Sequence, residues 1–280
     1  MARAKTADQR RVPAVVHRQR CQGELTMINS KKVAVVMPAY NAEATLEKTV
    51  ADLPEGVADT VILCDDGSTD GTVALARRLG LEVLEHEHNR GYGANQKTCY
   101  DRALQTDAQI VAMIHPDYQY DPRVLLAAAS LIDLGICDVI MGSRIRTRRE
   151  TLDGGMPLYK YISNRFLTVV ENIGFGQNLG DFHSGFRVYR REALECVNYR
   201  QNSDDFIFDT EFLAQVIDKG YRIGDIPVPT RYSPDASSID FRRSIRYGFG
   251  CLAVVGQYLL HKGGLYSARL FRDPERQNGG

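Results

Sequence analysis

Apolar and polar positions change over in blocks along the first half of this chain. Residues 33–41 (VAVVMPAYN) are a β-rich run, and residues 43–53 then carry a helical pattern. Residues 60–72 (TVILCDDGSTDGT) repeat the plan: an apolar strand, an Asp65-Asp66-Gly67 turn and a helix over 69–79. Ser68, Thr69 and Asp70 are all good caps for that helix. A third strand over 81–87 leads through the loop 89–93 into a helix over 94–104, and residues 110–114 (IVAMI) form a fourth strand. A helix over 122–134 and a strand over 137–144 (CDVIMGSR) follow. Continuous apolar strands alternating with helices predict an α/β fold, with a mainly parallel, Rossmann-like sheet flanked by helices.

After residue 149 the pattern changes. Residues 151–176 read as a Gly-containing loop and a long helix, with Leu158, Ile162, Phe166, Val169, Val170 and Ile173 near helical spacing. That stripe predicts packing, in the core or across a homo-oligomer contact. Residues 180–194 (GDFHSGFRVYRREAL) give a polar loop, a strand and a helix, and residues 206–220 a helix with Asp209 and Glu211 near its start. Pro227 and Pro229 put the strand over 221–232 at a sheet edge. Residues 237–265 hold a Gly-interrupted apolar run flanked by Arg242, Arg243, Arg246 and Lys262. It predicts an amphipathic helix, lying on a membrane surface or docked on the core or a partner. The expected organisation is therefore a basic, disordered tail over 1–32, an α/β domain over 33–235 and a C-terminal helical segment over 236–280.

Composition narrows the function. The formal net charge is +0, which gives no global electrostatic case for nucleic acid. None of the 6 Cys has CxxC spacing, so buried free thiols in a reducing cytoplasm are expected rather than disulfides or a zinc site. No run reaches the roughly 20 apolar residues that span a bilayer, and the Arg-rich N-terminus lacks the apolar core of a secretory signal.

Candidate chemistry lies at the carboxyl ends of the strands, where an open α/β sheet binds ligands. Alternation along extended chain after Ile114 places His115, Asp117 and Gln119 on one side, where they either hold a hard divalent cation or only cap a strand. Asp65 and Asp66 precede a helix N-terminus and serve a base and ribose, or simply the turn. No GxGxxG or GxxxxGK[ST] is present, which weighs against a dinucleotide or P-loop site.

Taken in order, VVMPAYNAEATL, CDDGSTDGT, HPDYQYDP, GSR (142–144), DFHSGFR and FDTEFLAQVIDKGYRIGDIPV resemble the motifs of family 2 glycosyltransferases of GT-A fold. The likeness is greatest to the dolichyl- and polyprenyl-phosphate sugar synthases. That resemblance implies that Pro38, Tyr40, Glu43, Asp65 and Asp66 hold a UDP- or GDP-hexose, and that Asp117 with Gln119 binds Mg²⁺ or Mn²⁺. Arg144 and Arg187 would face phosphates, and Asp181, Asp209 or Glu211 would supply a further catalytic carboxylate. It also implies inversion by direct attack, a polyprenyl phosphate or saccharide acceptor, and an enzyme of the cell envelope working at the inner face of the membrane. His115 stands where the family carries the first aspartate of its metal motif. Imidazole ligates Mn²⁺ but is a poor ligand for Mg²⁺, so weaker or different metal use is expected, or direct contact of His115 with phosphate or sugar, the alternative being a catalytically idle nucleotide-sugar-binding protein.

Overall fold

The computed structural model describes residues 31–144, 147–153, 155–231 and 241–273. Apart from Lys31 and Lys32, the expected basic tail lies outside them. Strands β1 (Val33–Ala39), β2 (Thr60–Asp65), β3 (Glu82–Glu85), β4 (Ile110–Ile114), β5 (Val139–Ser143), β6 (Phe186–Arg190) and β7 (Ile223–Pro227) form one seven-stranded sheet in the order β3-β2-β1-β4-β6-β5-β7. All pairs are parallel except β4–β6 and β5–β6. The mainly parallel expectation therefore holds, with β6 threaded between β4 and β5 in the opposite sense. The proline-bearing β7 takes an edge.

Every residue of β1, β4 and β5 is buried, which is why these strands read as unbroken apolar runs. Alternate β1 residues serve opposite faces of the sheet. Ala34 and Val36 pack with α3 (Tyr92–Ala103), α8 (Phe208–Asp218) and α9 (Phe241–Lys262), while Val33, Val35 and Met37 pack with α1 (Glu43–Ala51), α2 (Thr72–Arg78) and α4 (Leu125–Asp133). The remaining helices are α5 (Arg148–Asp153), α6 (Leu158–Phe175) and α7 (Arg191–Glu195).

Helix α2 begins three residues later than the capping residues suggest. Asp70 accepts from the Thr72 amide (3.1 Å) and the Glu43 amide (3.1 Å), while Ser68 and Thr69 bond Asn41 across the sheet end. The acidic turn is thus used to clamp β1–α1 against β2–α2.

The expected stripe on α6 is real, but it is not covered. Leu158, Ile162, Phe166, Val169 and Ile173 are 48–79% exposed, whereas the opposite face buries Leu167, Thr168 and Glu171. Helix α9 packs on α6 and α8 through Cys251, Val254, Val255 and Tyr258 and leaves Ile245 and Phe249 outward. Among the described residues no helix is long and apolar enough to cross a membrane.

Candidate active site

A cavity of about 440 Å³ opens beyond the carboxyl end of β4. Its polar part is made by His115, Asp117, Gln119, Arg144, Lys160 and Asp209, and its apolar part by Met156, Phe166, Leu167, Ile245, Phe249 and Leu252. The metal candidates therefore do meet, though not along extended chain. Residues 116–118 form a turn in which Tyr118 has φ +55°, and the Asp117 carboxylate accepts from the Gln119 amide at 3.0 Å. A left-handed tyrosine is uncommon, and here it re-aims Gln119 into the cavity. The second oxygen of Asp117 takes no hydrogen bond among the described residues.

His115 sits in a slot that only glycine leaves open, since a Cβ on Gly185 would lie 2.3 Å from its ring. Burial pulls the imidazole below its usual range although Asp117 and Asp209 oppose this, so the ring is neutral near pH 7. Burial and the Asp209 charge push the Tyr92 hydroxyl well up, so it keeps its proton. That proton goes to Asp209 (2.9 Å), and His115 Nε2, 3.1 Å away, must then donate to the Tyr92 oxygen. The lone pair of His115 is consequently on Nδ1.

Asp209 is held on three sides. It accepts from Tyr92, from Gln96 Nε2 (2.9 Å) and pairs with Arg187 (2.9 Å). Arg187 is fully buried, and its Nε donates to the Ser184 carbonyl at 2.9 Å. This corrects the expectation that Arg187 faces a phosphate: its guanidinium neutralises Asp209 from inside the core. Arg144 does line the cavity, with its fork on Asp181 (2.7 and 3.1 Å). Burial alone would raise the Asp181 carboxyl, but Arg144, His183 and Asn164 outweigh it and hold it well below the usual carboxylate range. Asp181 is fully buried and locked in position as an anion. Glu211 points away altogether. It accepts from the Ser203 amide (2.6 Å) and lines a separate cavity of about 290 Å³ with Arg200 and Gln257.

The nucleotide candidates occupy the neighbouring ends of β1 and β2. Pro38 is buried in β1 opposite Cys64, while Tyr40 is 52% exposed. Glu43 accepts from the Gly71 amide (2.8 Å), and Asp66 accepts from the Arg90 and Gly91 amides (2.9 and 3.0 Å) and contacts His86 Nδ1 (2.7 Å). Glu43 and Asp66 thus shape loops. Asp65 bonds the Ser68 amide through Oδ2 (2.8 Å), but its buried Oδ1 has no partner among the described residues. None of these five lines the larger cavity. Tyr92, Gln96 and Lys160 are site residues that sequence reasoning missed, and His183 entered it only within the motif DFHSGFR. Tyr92 and Gln96 share one face of α3 at i,i+4 spacing, which was the only signal available.

A parallel sheet with an acidic turn after β2, beside a polar cavity after β4, is the layout of a GT-A glycosyltransferase. The model of the family "Glycosyl transferase family 2" matches residues 34–197, and the chain belongs to that family and is a glycosyltransferase. It is 31% identical over 211 residues to a dolichyl-phosphate hexose transferase of Haloferax volcanii, covering 74% of this chain and 86% of that one. It is 26% identical over 220 residues to the UDP-N-acetylglucosamine–dolichyl-phosphate N-acetylglucosaminyltransferase of Methanococcus voltae, covering 72% and 87%. Among solved structures it resembles glucosyl-3-phosphoglycerate synthase of Mycobacterium tuberculosis in complex with Mn²⁺, UDP-glucose and glycerol 3-phosphate. The TM-score there is 0.60 at 18% identity, covering 85% of this chain and 82% of that one.

Proposed function

We propose that this protein transfers a hexose, with inversion, from a UDP- or GDP-hexose to a polyprenyl phosphate at a membrane surface. One observation carries the reading: a single cavity joins the polar cluster His115, Asp117, Gln119, Arg144 and Lys160 to an apolar wall of α6 and α9. The outer face of that wall is exposed and apolar. An amphiphile with an anionic head and a hydrocarbon chain fits both parts at once. Burial and the neighbouring Arg144 lower the Lys160 amine, so a bound phosphate would relieve the repulsion between the two cations.

The carboxylates support the same acceptor. An attacking sugar hydroxyl needs a general base, whereas an ionised phosphate does not. Asp181 is ion-paired to Arg144 and Asp209 to the buried Arg187, and Glu211 lies outside the cavity. Asp117 is left, and its uncommitted oxygen suits a metal. With the Gln119 amide and His115 Nδ1 it makes a mixed oxygen and nitrogen set, which fits Mn²⁺ better than Mg²⁺. When bound, the ion neutralises the departing diphosphate. Asp65 Oδ1, a buried acceptor without a partner among the described residues, is the position offered to a donor group of the base or ribose. We assign the exposed stripe of α6, with Ile245 and Phe249 of α9 and the exposed Arg243 and Arg246, to the bilayer interface. The dolichyl-phosphate transferases among the relatives agree with this acceptor.

The test is nucleoside diphosphate release from UDP- and GDP-hexoses with polyprenyl phosphate and Mn²⁺ or Mg²⁺. Release that needs the lipid phosphate and is lost in Asp117→Ala is expected. Equal turnover on a neutral saccharide would sink the acceptor assignment.

A further inference from the structure

A second group of ligating side chains meets behind the cavity wall, where α6 crosses α9. Glu171 of α6, His183 of the loop before β6 and Cys251 of α9 each present one atom, and these atoms all lie within 4.8 Å of one another. Glu171 and Cys251 are fully buried, and the His183 side chain is 8% exposed. Among the described residues, neither carboxylate oxygen of Glu171 has a hydrogen-bond partner. His183 Nε2 approaches one of them to 3.1 Å without hydrogen-bond alignment. The contrast with nearby Asp181 and Asp209 is sharp, since each of those accepts several well-formed bonds. A buried carboxylate left this way is costly unless a cation satisfies it.

The imidazole is held for such a role. Its Nδ1 lies 2.7 Å from the Tyr247 hydroxyl, which turns Nε2 toward Glu171 and Cys251. Where Nδ1–H donates to Tyr247, the Nε2 lone pair faces the Glu171 carboxylate, and a cation between them resolves that arrangement. A hydrogen bond on the far nitrogen is the usual partner of a ligating histidine.

We propose that Glu171, His183 and Cys251 bind a divalent transition-metal ion, Zn²⁺ by the chemistry of the set, at a site separate from Asp117. Thiolate, imidazole and carboxylate are the zinc donors, and a thiolate disfavours Mg²⁺. On coordination the thiol proton leaves to solvent, and three protein ligands leave one tetrahedral position for water. The ion ties α9 and the His183 loop to α6. Because His183 lines the cavity, that tie also holds the cavity wall.

Cobalt substitution tests this without reference to turnover. Chelated wild-type protein titrated with Co²⁺ is expected to show an equimolar thiolate-to-cobalt charge-transfer band that Zn²⁺ abolishes. The band persists in Asp117→Ala, disappears in Cys251→Ser, and in Glu171→Gln needs on the order of tenfold more Co²⁺. Chelation lowers the Tm, and Zn²⁺ but not Mg²⁺ restores it. A wild-type protein with no such band, or a band that survives in Cys251→Ser, overturns the site. If Cys251→Ser fails to fold, the Glu171→Gln titration takes its place, and an unchanged Co²⁺ requirement there overturns the site.

Discussion

Individual residues at this site are explained by what holds them. Asp117→Ala is expected to fold with an unchanged Tm and to lose diphosphate release by at least about a hundredfold, since charge neutralisation at the leaving group is a large term. His115→Asp restores a hard anionic ligand and is expected to raise the ratio of kcat/KM with Mg²⁺ to that with Mn²⁺. An unchanged ratio would remove His115 from the metal site. Arg187 behaves differently. Removing it leaves Asp209 buried without its cation, so Arg187→Leu is expected to cost about 3–5 kcal/mol in denaturant unfolding. His115 also sets a pH dependence. Burial depresses its folded pKa below the ordinary 6.5, so below that pH the unfolded chain binds the proton and the folded chain does not. Its contribution to stability is therefore complete above 6.5 and declines as the solution is acidified. In metal-free protein, His115→Gln should flatten the fall in Tm between about pH 7 and pH 5.

At the scale of elements, sequence pattern showed which residues share a face but not what covers it. The α6 stripe was legible as a stripe because helical periodicity is local. Its exposure depends on α9 packing against the other side of α6, a contact that no local pattern encodes. The same limit explains α2, whose expected caps turn out to bond the β1–α1 corner, and the short α5, which read as loop. The exposed face makes a direct prediction. Ile162→Asp with Phe166→Asp alters side chains that are 58% and 60% exposed, so the fold should persist. Cosedimentation with anionic phospholipid vesicles should fall at least about tenfold, because two apolar anchors, each worth roughly 1.5–3 kcal/mol when buried, are lost. Unchanged cosedimentation would detach this face from the membrane.

For the whole molecule, the order of strands and helices was readable because each buried strand announces itself as an apolar run. The insertion of β6 between β4 and β5 was not, since antiparallel pairing across residues far apart in sequence leaves no periodic trace. That insertion nevertheless creates the buried network, bringing Arg187 of β6 to Asp209 of α8, which bonds Tyr92 of α3 and through it His115 after β4. Of the residues the sequence singled out, His115, Asp117, Gln119, Arg144 and Asp209 line the cavity, and which of the others lie in the core or elsewhere required the fold. That division bears on the acceptor. With the candidate base carboxylates either ion-paired or outside the cavity, discrimination has to come from binding the acceptor's phosphate and chain. With the proposed acceptor bound, the apolar wall would touch its chain equally in ground and transition states and so contribute uniform binding. Shortening the isoprenoid should then raise KM by about fourfold for each CH₂ removed from contact, at about 0.8 kcal/mol each, with kcat held nearly constant. Steady-state kinetics over a series of prenyl phosphates in detergent would show this. A fall in kcat with KM unchanged would instead mean that the chain contacts act only in the transition state, and the uniform-binding role of α6 and α9 would have to be given up.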